Sequence, residues 1–325
     1  MMRNVGIKVL PRSYRALMAC LVLPCFAPNA LAYVGFWEEF EAYNSTWDGQ
    51  GIVELATSGC IVSSTANNEW TVAFGGGNER DYRLQIASPF TLNNGSFSLP
   101  VGLTVTDLHG SGTQTLQANQ YSSALTYNHY CATQGHNAEL TMTINQADLY
   151  AVPAGTYTAS FSLMAQRIGG GGGSDSASDT LGATLVIPQL IQVSGIDNIN
   201  MGNYDGLSAS VNQNEPYCIY TNAGDYTVTP SSTVGSSAGS YALSAGADQV
   251  EYTVRVSNTS DASNGTLLDN GETSQALSAN QSAPLSPSCS GSDNAAVYVE
   301  ILGSELQAKP AGTYTGTLTL QVAPI

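Results

Sequence analysis

The chain has 325 residues, with 9 Lys and Arg against 25 Asp and Glu, a formal net charge of −16, and only 10% charged residues in all. A surface of that sign repels a phosphate backbone, whose binding rests on Lys and Arg displacing counterions, so no nucleic-acid partner is expected and anionic lipid is a poor candidate. Beyond the N-terminal segment no window holds the roughly 18 consecutive apolar residues of a membrane-spanning helix.

Residues 1–32 read as a signal peptide. Arg3, Lys8, Arg12 and Arg15 precede an apolar run from Ala16 to Phe26, and Ala30-Leu31-Ala32 supplies the small residues of a cleavage site. Leu17-Met18-Ala19-Cys20 loosely resembles a lipid-attachment box, but that reading leaves almost no apolar stretch before the cut. An exported chain starting at Tyr33 keeps 9 − 4 = 5 basic groups against 25 acidic ones, a charge of about −20.

In the stretch from Tyr33 to Tyr43 the alternation of Val34, Phe36, Phe40 and Ala42 is interrupted by Glu38. A strand lent to an apolar groove of another molecule should not bury a carboxylate, which costs several kcal/mol unless paired. Trp37, Trp47 and Trp70 all fall in this first half, as do His109, His129 and His136. The three tryptophans are candidate surface contacts, set against burial in a core.

After the signal peptide four cysteines remain, Cys60, Cys131, Cys218 and Cys289, and an even count in an oxidising compartment implies disulfides. Three connectivities are open to four cysteines. An internal repeat selects Cys60–Cys131 and Cys218–Cys289, because both pairs are 71 residues apart and the similarity runs on. Leu116-Gln117-Ala118-Asn119-Gln120 is echoed by Leu277-Ser278-Ala279-Asn280-Gln281, Asn137-Ala138 by Asn294-Ala295, and Pro153 to Thr158 recurs identically as Pro310 to Thr315. The chain is a tandem duplication.

The repeated segments predict strands. Apolar residues alternate at Leu140, Met142 and Ile144 and again at Val297, Val299 and Ile301. After each Pro-Ala-Gly turn comes a further strand, with Tyr157, Ala159, Phe161, Leu163 and Ala165 on one face, matched by Tyr314, Gly316, Leu318, Leu320 and Val322. One dry and one wet face per strand, Gly-containing turns and no sustained 3.6-residue period give an all-β protein of two β-sandwiches. The expected organisation is a signal peptide over 1–32, a sandwich over 33–168, a Gly/Ser/Asp linker over 169–180 and a second sandwich over 181–325.

The glycines at 169–173 do not read as a dinucleotide loop, because no amphipathic helix follows them. The apolar segment from Ala183 to Val193 is read as the first strand of domain two, with completion of domain one in cis as the alternative.

In domain two, Ile199-Asn200-Met201-Gly202-Asn203-Tyr204-Asp205, Cys218, Tyr226-Thr227-Val228 and Pro310-Ala311-Gly312-Thr313-Tyr314 follow in an order that resembles the spore-coat-U-like pilin domains of chaperone-usher fimbriae. The resemblance covers most of 181–325 and, more weakly, 50–166. It implies immunoglobulin-like sandwiches, the C-terminal one lacking its last strand, with the gap filled first by a periplasmic chaperone and then by a neighbouring subunit.

Tyr314, Leu318, Leu320 and Val322 then line the donor-strand groove and chaperone contact, and the sequence ending at Ile325 leaves no closing strand for it. Many pilins carry a tyrosine next to the C-terminus, whereas Tyr314 lies eleven residues from it, so the strand is carried over and no specific chaperone contact is. A two-domain subunit of this kind is typically the tip adhesin. The implied partners are the chaperone, an outer-membrane usher, other pilus subunits and a host or abiotic surface, and the implied location is the cell surface after passage through the periplasm.

A secreted coat or biofilm-matrix protein shares every feature except strand exchange. A secreted carbohydrate-active enzyme is the third reading, and its usual constellations are missing: there is no His-Glu-x-x-His or Cys-x-x-Cys after residue 32. His129 lies two residues from Cys131, but the matching Cys218–Cys289 pair makes Cys131 structural. Glu38 and Glu39 are adjacent, and neighbouring strand residues point to opposite faces. The acids at 175, 179 and 261–272 lack calcium-loop spacing, so no metal and no cofactor is expected.

Overall fold

The structure is a computed structural model that describes residues 33–65, 78–110, 112–127, 131–169, 175–235, 239–278, 287, 289 and 292–325. The signal peptide, Trp70 and His129 lie outside the described residues. Among the described residues no helix is long and apolar enough to cross a membrane.

Domain one is two packed sheets. The first runs β1 (Tyr33–Glu38), β3 (Val53–Ser64), β9 (Ala138–Ile144), β7 (Gly102–Asp107), β8 (Gly112–Thr115) in spatial order. The second runs β2 (Tyr43–Thr46), β11 (Ser176–Ile187), β10 (Gly155–Arg167), β5 (Thr91–Asn94), β6 (Phe97–Pro100), with β4 (Tyr82–Ile86) also on β10. Short helices α1 (Cys131–Gln134) and α2 (Gln146–Tyr150) close the connections around β9. Alternate residues of both sheets meet in one core: Ile61, Leu103, Leu140 and Met142 face Leu84, Ile86, Phe161 and Leu185.

Domain two repeats the plan with fewer strands. One sheet is β12 (Ile191–Ser194), β13 (Ser210–Thr221), β19 (Ala295–Leu302), β16 (Asp248–Ser257), β15 (Tyr241–Ala245), with β17 (Thr266–Leu268) on β16. The other holds three strands, β18 (Leu277–Ser278), β14 (Asp225–Ser231) and β20 (Thr319–Pro324). Helix α3 (Gly303–Gln307) sits 157 residues after α2.

The duplication holds at the level of single bonds. Both expected disulfides are formed, with Cα–Cα separations of 5.8 and 5.9 Å. Asn137 clamps Ile61, accepting its N–H at Oδ1 and donating Nδ2 to its carbonyl, and Asn294 does the same to Ile219. Tyr157 Oη donates to the Pro153 carbonyl and Tyr314 Oη to that of Pro310, so each Pro-Ala-Gly turn is tied to the strand it launches.

Two expectations about the middle of the chain are corrected. The linker expected over 169–180 is strand from Ser176 onward, because β10 and β11 form a long antiparallel hairpin from Gly155↔Ile187 to Gln166↔Ser176. Ala183–Ile187 is therefore not the first strand of domain two. It completes domain one in cis, burying Leu181, Ala183, Leu185 and Ile187 in that core. The first strand of domain two is β12, paired with β13. The physical reason is the alternation itself: β11 has one apolar face, and β10, whose side it seals, ends only nine residues before it in sequence.

Candidate functional site: an uncompleted sheet edge in domain two

Strand β10 has partners on both sides, β11 on one and β4 and β5 on the other. Among the described residues its counterpart β20 pairs with β14 alone. The registers match, for Ala165↔Leu84 in domain one becomes Val322↔Val228 in domain two, and Arg167↔Tyr82 becomes Pro324↔Tyr226. Among the described residues no strand stands beside β20 in the place that β11 holds beside β10.

In domain one β11 runs antiparallel to β10 and parallel to β2, lying between them. Strand β2 leads into Trp47-Asp48-Gly49, and 157 residues on stands Tyr204-Asp205-Gly206. Both Asp-Gly turns use a left-handed glycine, Gly49 at φ +88° and Gly206 at φ +76°, and both aspartates accept an N–H two residues later. The segment before Tyr204, carrying Ile199 and Met201, thus occupies the place of β2. It forms no strand, and among the described residues no strand pairs with it.

By the match to domain one, where β11 lies between β2 and β10, the place of that strand in domain two is a groove between these two segments. Ile199 and Met201 on one side and Leu318, Leu320 and Val322 on the other pack against the core of domain two while staying partly exposed. The equivalents in domain one, Phe161, Leu163 and Ala165, are 2%, 0% and 0% exposed. The strand expected from Tyr314 onward is correspondingly short: regular ladder begins only at Thr319, and Thr315 makes a lone bridge to Ser244. Without a neighbour, that stretch has nothing to hold an extended ladder.

Size decides how much this matters. Sealing Leu181, Leu185 and Ile187 contributes roughly 1.5–3 kcal/mol each, or about 5–9 kcal/mol together. That is comparable to the whole net stability of a domain, about 5–15 kcal/mol. Domain one holds this contribution within its own chain, and the described residues of domain two do not supply it.

The electrostatics around the groove are local. Asp205 has its pKa lowered by the Ser208 and Leu207 N–H groups and the Ser208 hydroxyl, which fixes the turn at the end of one wall. Tyr226, under the groove floor, is pushed up to about 12 by burial. No cluster of His, Cys, Asp and Glu able to hold a metal occurs among the described residues.

The tryptophans divide. Trp47 is 2% exposed, with Nε1 donating to the Gln50 carbonyl and its ring edge-on to Tyr150 at 5.0 Å, so it is a core residue and not a surface contact. Trp37 packs partly buried against the core. Sequence reasoning missed Ile199 and Met201 as a groove wall, although the match of Trp47-Asp48-Gly49 to Tyr204-Asp205-Gly206 was there to find. It also missed Asn222, which joins the two domains. Asn222 Oδ1 accepts Leu190 N–H, its Nδ2 donates to the Pro188 carbonyl, and its own carbonyl accepts Ala154 N–H.

Comparison with family models and with curated proteins finds no match. Among solved structures the chain is similar to a chain of the CsuC-CsuE chaperone-tip adhesion subunit pre-assembly complex from archaic chaperone-usher Csu pili of Acinetobacter baumannii. There the identity is 14% and the TM-score 0.45, covering 88% of this chain and 99% of that one. It is also similar to CfaE, the adhesive subunit of CFA/I fimbria of enterotoxigenic Escherichia coli, at 11% identity and TM-score 0.40, covering 88% and 94%. A third is the CupB6 tip adhesin from Pseudomonas aeruginosa, at 12% identity and TM-score 0.35, covering 91% and 94%.

Proposed function

We propose that the chain is an adhesive subunit of a surface fimbria, held in its fibre by a strand that a neighbouring subunit lends to domain two. One observation carries this reading: the strand that completes domain one in cis has no counterpart among the described residues of domain two. An apolar, half-paired edge is a liability unless another chain covers it, and strand addition supplies backbone hydrogen bonds and apolar side chains together. A periplasmic chaperone would occupy the groove during export and a pilus subunit after assembly at the usher.

The position proposed is the fibre tip. A shaft subunit needs a free strand to lend, and the stretch best placed to be one is built into domain one. Tyr33–Glu38 is β1, laddered from Tyr33↔Ser64 to Glu38↔Cys60, with Val34 only 5% exposed. Domain one, already complete, is then free to contact a host or abiotic surface.

Immunogold electron microscopy with antibody against domain one tests the placement. Label confined to fibre tips is the expected result. Label along the shaft would contradict the tip position, and label on cells without fibres would replace the reading with a coat protein.

A further inference from the structure

The joint between the domains is built on one end of domain one. There the Asp48-Gly49 turn meets α2, with Tyr150 Oη donating to the Gly49 carbonyl at 2.9 Å. Domain two covers that end. Tyr220 Oη donates to the Tyr150 carbonyl at 3.2 Å, the two rings stand edge-on at 5.4 Å, and Ala154 N–H donates to the Asn222 carbonyl at 3.0 Å.

The same end exists in domain two, 157 residues on. Gln307, in the place of Tyr150, donates Nε2 to the carbonyl of Gly206, the counterpart of Gly49, and to the hydroxyl of Tyr204, the counterpart of Trp47. Turn and helix are thus tied by the same contact, but here the contact is bare. Tyr150, Pro153 and Ala154 are half-buried, whereas Gln307, Pro310 and Ala311 are exposed. Ala311 N–H, in the place of Ala154 N–H, has no hydrogen-bond partner among the described residues.

Two side chains make the bare end apolar. Leu207 stands where Gln50 does and Leu302 where Asn145 does, and they are 89% and 51% exposed. Both adjoin the turn and helix, since Leu302 pairs with Ser210 and Gly303 N–H donates to the Ala209 carbonyl. The uncovered end carries leucine where the covered one carries Gln and Asn, the reverse of what contact with water alone selects.

Connectivity says what covers it. In domain one β11 ends at Ile187 opposite Gly155, and Pro188-Gln189-Leu190 lead straight into β12, the first strand of the domain that docks there. A strand lent to domain two in the place of β11 ends opposite Gly312, beside the bare end, and the chain that lends it continues from that point.

We propose that this end of domain two docks the folded body of the subunit that lends the strand, in the arrangement by which domain two covers domain one. Leu207 and Leu302 are buried in that contact, and Ala311 N–H finds a carbonyl as Ala154 N–H does. Strand and docked body belong to one partner, so the second contact forms at the high effective concentration set by a linker of a few residues. The inference rests on the strand-exchange reading and goes beyond it, because a strand can be lent on a loose tether without the bodies touching.

Thiol accessibility tests it. Leu207→Cys, Leu302→Cys and, as a control, Leu267→Cys on β17, which is 49% exposed, are made singly. Each is treated with maleimide-polyethylene glycol as purified chain and in fibres sheared from cells. All three thiols should react in the purified chain. In fibres those at 207 and 302 should react roughly tenfold more slowly, since a thiol must be accessible to react, while the one at 267 keeps its rate.

Unchanged rates at 207 and 302 in fibres that contain the chain would overturn the docking and leave strand exchange standing, because the lent strand lies beside β20 and not over these leucines. Equal slowing at all three positions would also overturn it, as burial of the whole domain and not of one end. Absence of the chain from the fibres would overturn the docking and the fibre reading together.

Discussion

Leu163 and Leu320 hold the same position in the two copies of the repeat, 157 residues apart, and only Leu163 is fully sealed from solvent. Leu163 lies between Asp179 of β11 and Ile86 of β4, whereas Leu320 has a strand partner on one side only, at Pro230. Substitution by Ala should therefore cost unequally. Leu163→Ala removes a buried side chain and leaves a cavity, for about 3–5 kcal/mol, while Leu320→Ala in the free chain costs roughly 1–2 kcal/mol because no sealed space is opened. Urea unfolding of the two variants reads this directly, and equal losses would show that the groove in domain two is already closed.

Alkaline stability should follow the buried tyrosines. Burial raises the pKa of Tyr43, Tyr82 and Tyr157 in domain one and of Tyr217, Tyr220, Tyr226, Tyr241 and Tyr252 in domain two. Below pH 10 these phenols are protonated in folded and unfolded chain alike, and stability is fully present. As pH rises past 10 the unfolded chain releases protons that the folded chain keeps, so stability falls, for Tyr226 up to its folded value of about 12. Phenolate absorbance recorded against circular dichroism should show these tyrosines ionising together with unfolding. Their ionisation near pH 10 in a chain that stays folded would contradict the burial.

Asn222 should control how the domains are joined. It is 4% exposed, and its side chain spans the Pro188–Leu190 connection. Above it, Tyr150 stacks edge-on between Trp47 and Tyr220, at 5.0 and 5.4 Å. Asn222→Ala removes the partner of the part-buried Leu190 N–H and Pro188 carbonyl, a loss of about 0.5–1.5 kcal/mol for each hydrogen bond, and so loosens the connection. Limited proteolysis should cut near residue 189 faster in the variant than in the parent, with both domains remaining as intact fragments. An unchanged rate would mean that the aromatic contact alone holds the joint.

Much of this was legible in the residues. Equal cysteine spacing and the recurring Pro-Ala-Gly-Thr-Tyr-Thr gave both disulfides and the duplication, since covalent pairing and turn chemistry are local and repeat with the sequence. The alternation at Leu318, Leu320 and Val322 gave one wall of the groove. What failed was the assignment of Ala183–Ile187, because periodicity states that a strand has one apolar face and not which core receives it. Two cores competed for that segment, and the nearer one won through a hairpin. For Trp47 surface contact and core burial were both open from the sequence, and burial holds because α2 brings Tyr150 against its ring.

The central claim, that domain two is domain one without its completing strand, is tested most directly by restoring the strand. Residues 169–187 follow β10 in domain one, so a second copy of 169–187 appended after Ile325 gives domain two the same hairpin in the same register. Thermal unfolding of the extended chain should then show the domain-two transition raised by roughly 10 °C or more, on a scale of several degrees per kcal/mol, and the domain-one transition unmoved. The same extension with Ser at the positions of Leu181, Leu185 and Ile187 should give no rise. A domain-two midpoint unchanged by the apolar extension would contradict the claim, since it would mean that the edge beside Leu320 accepts no strand.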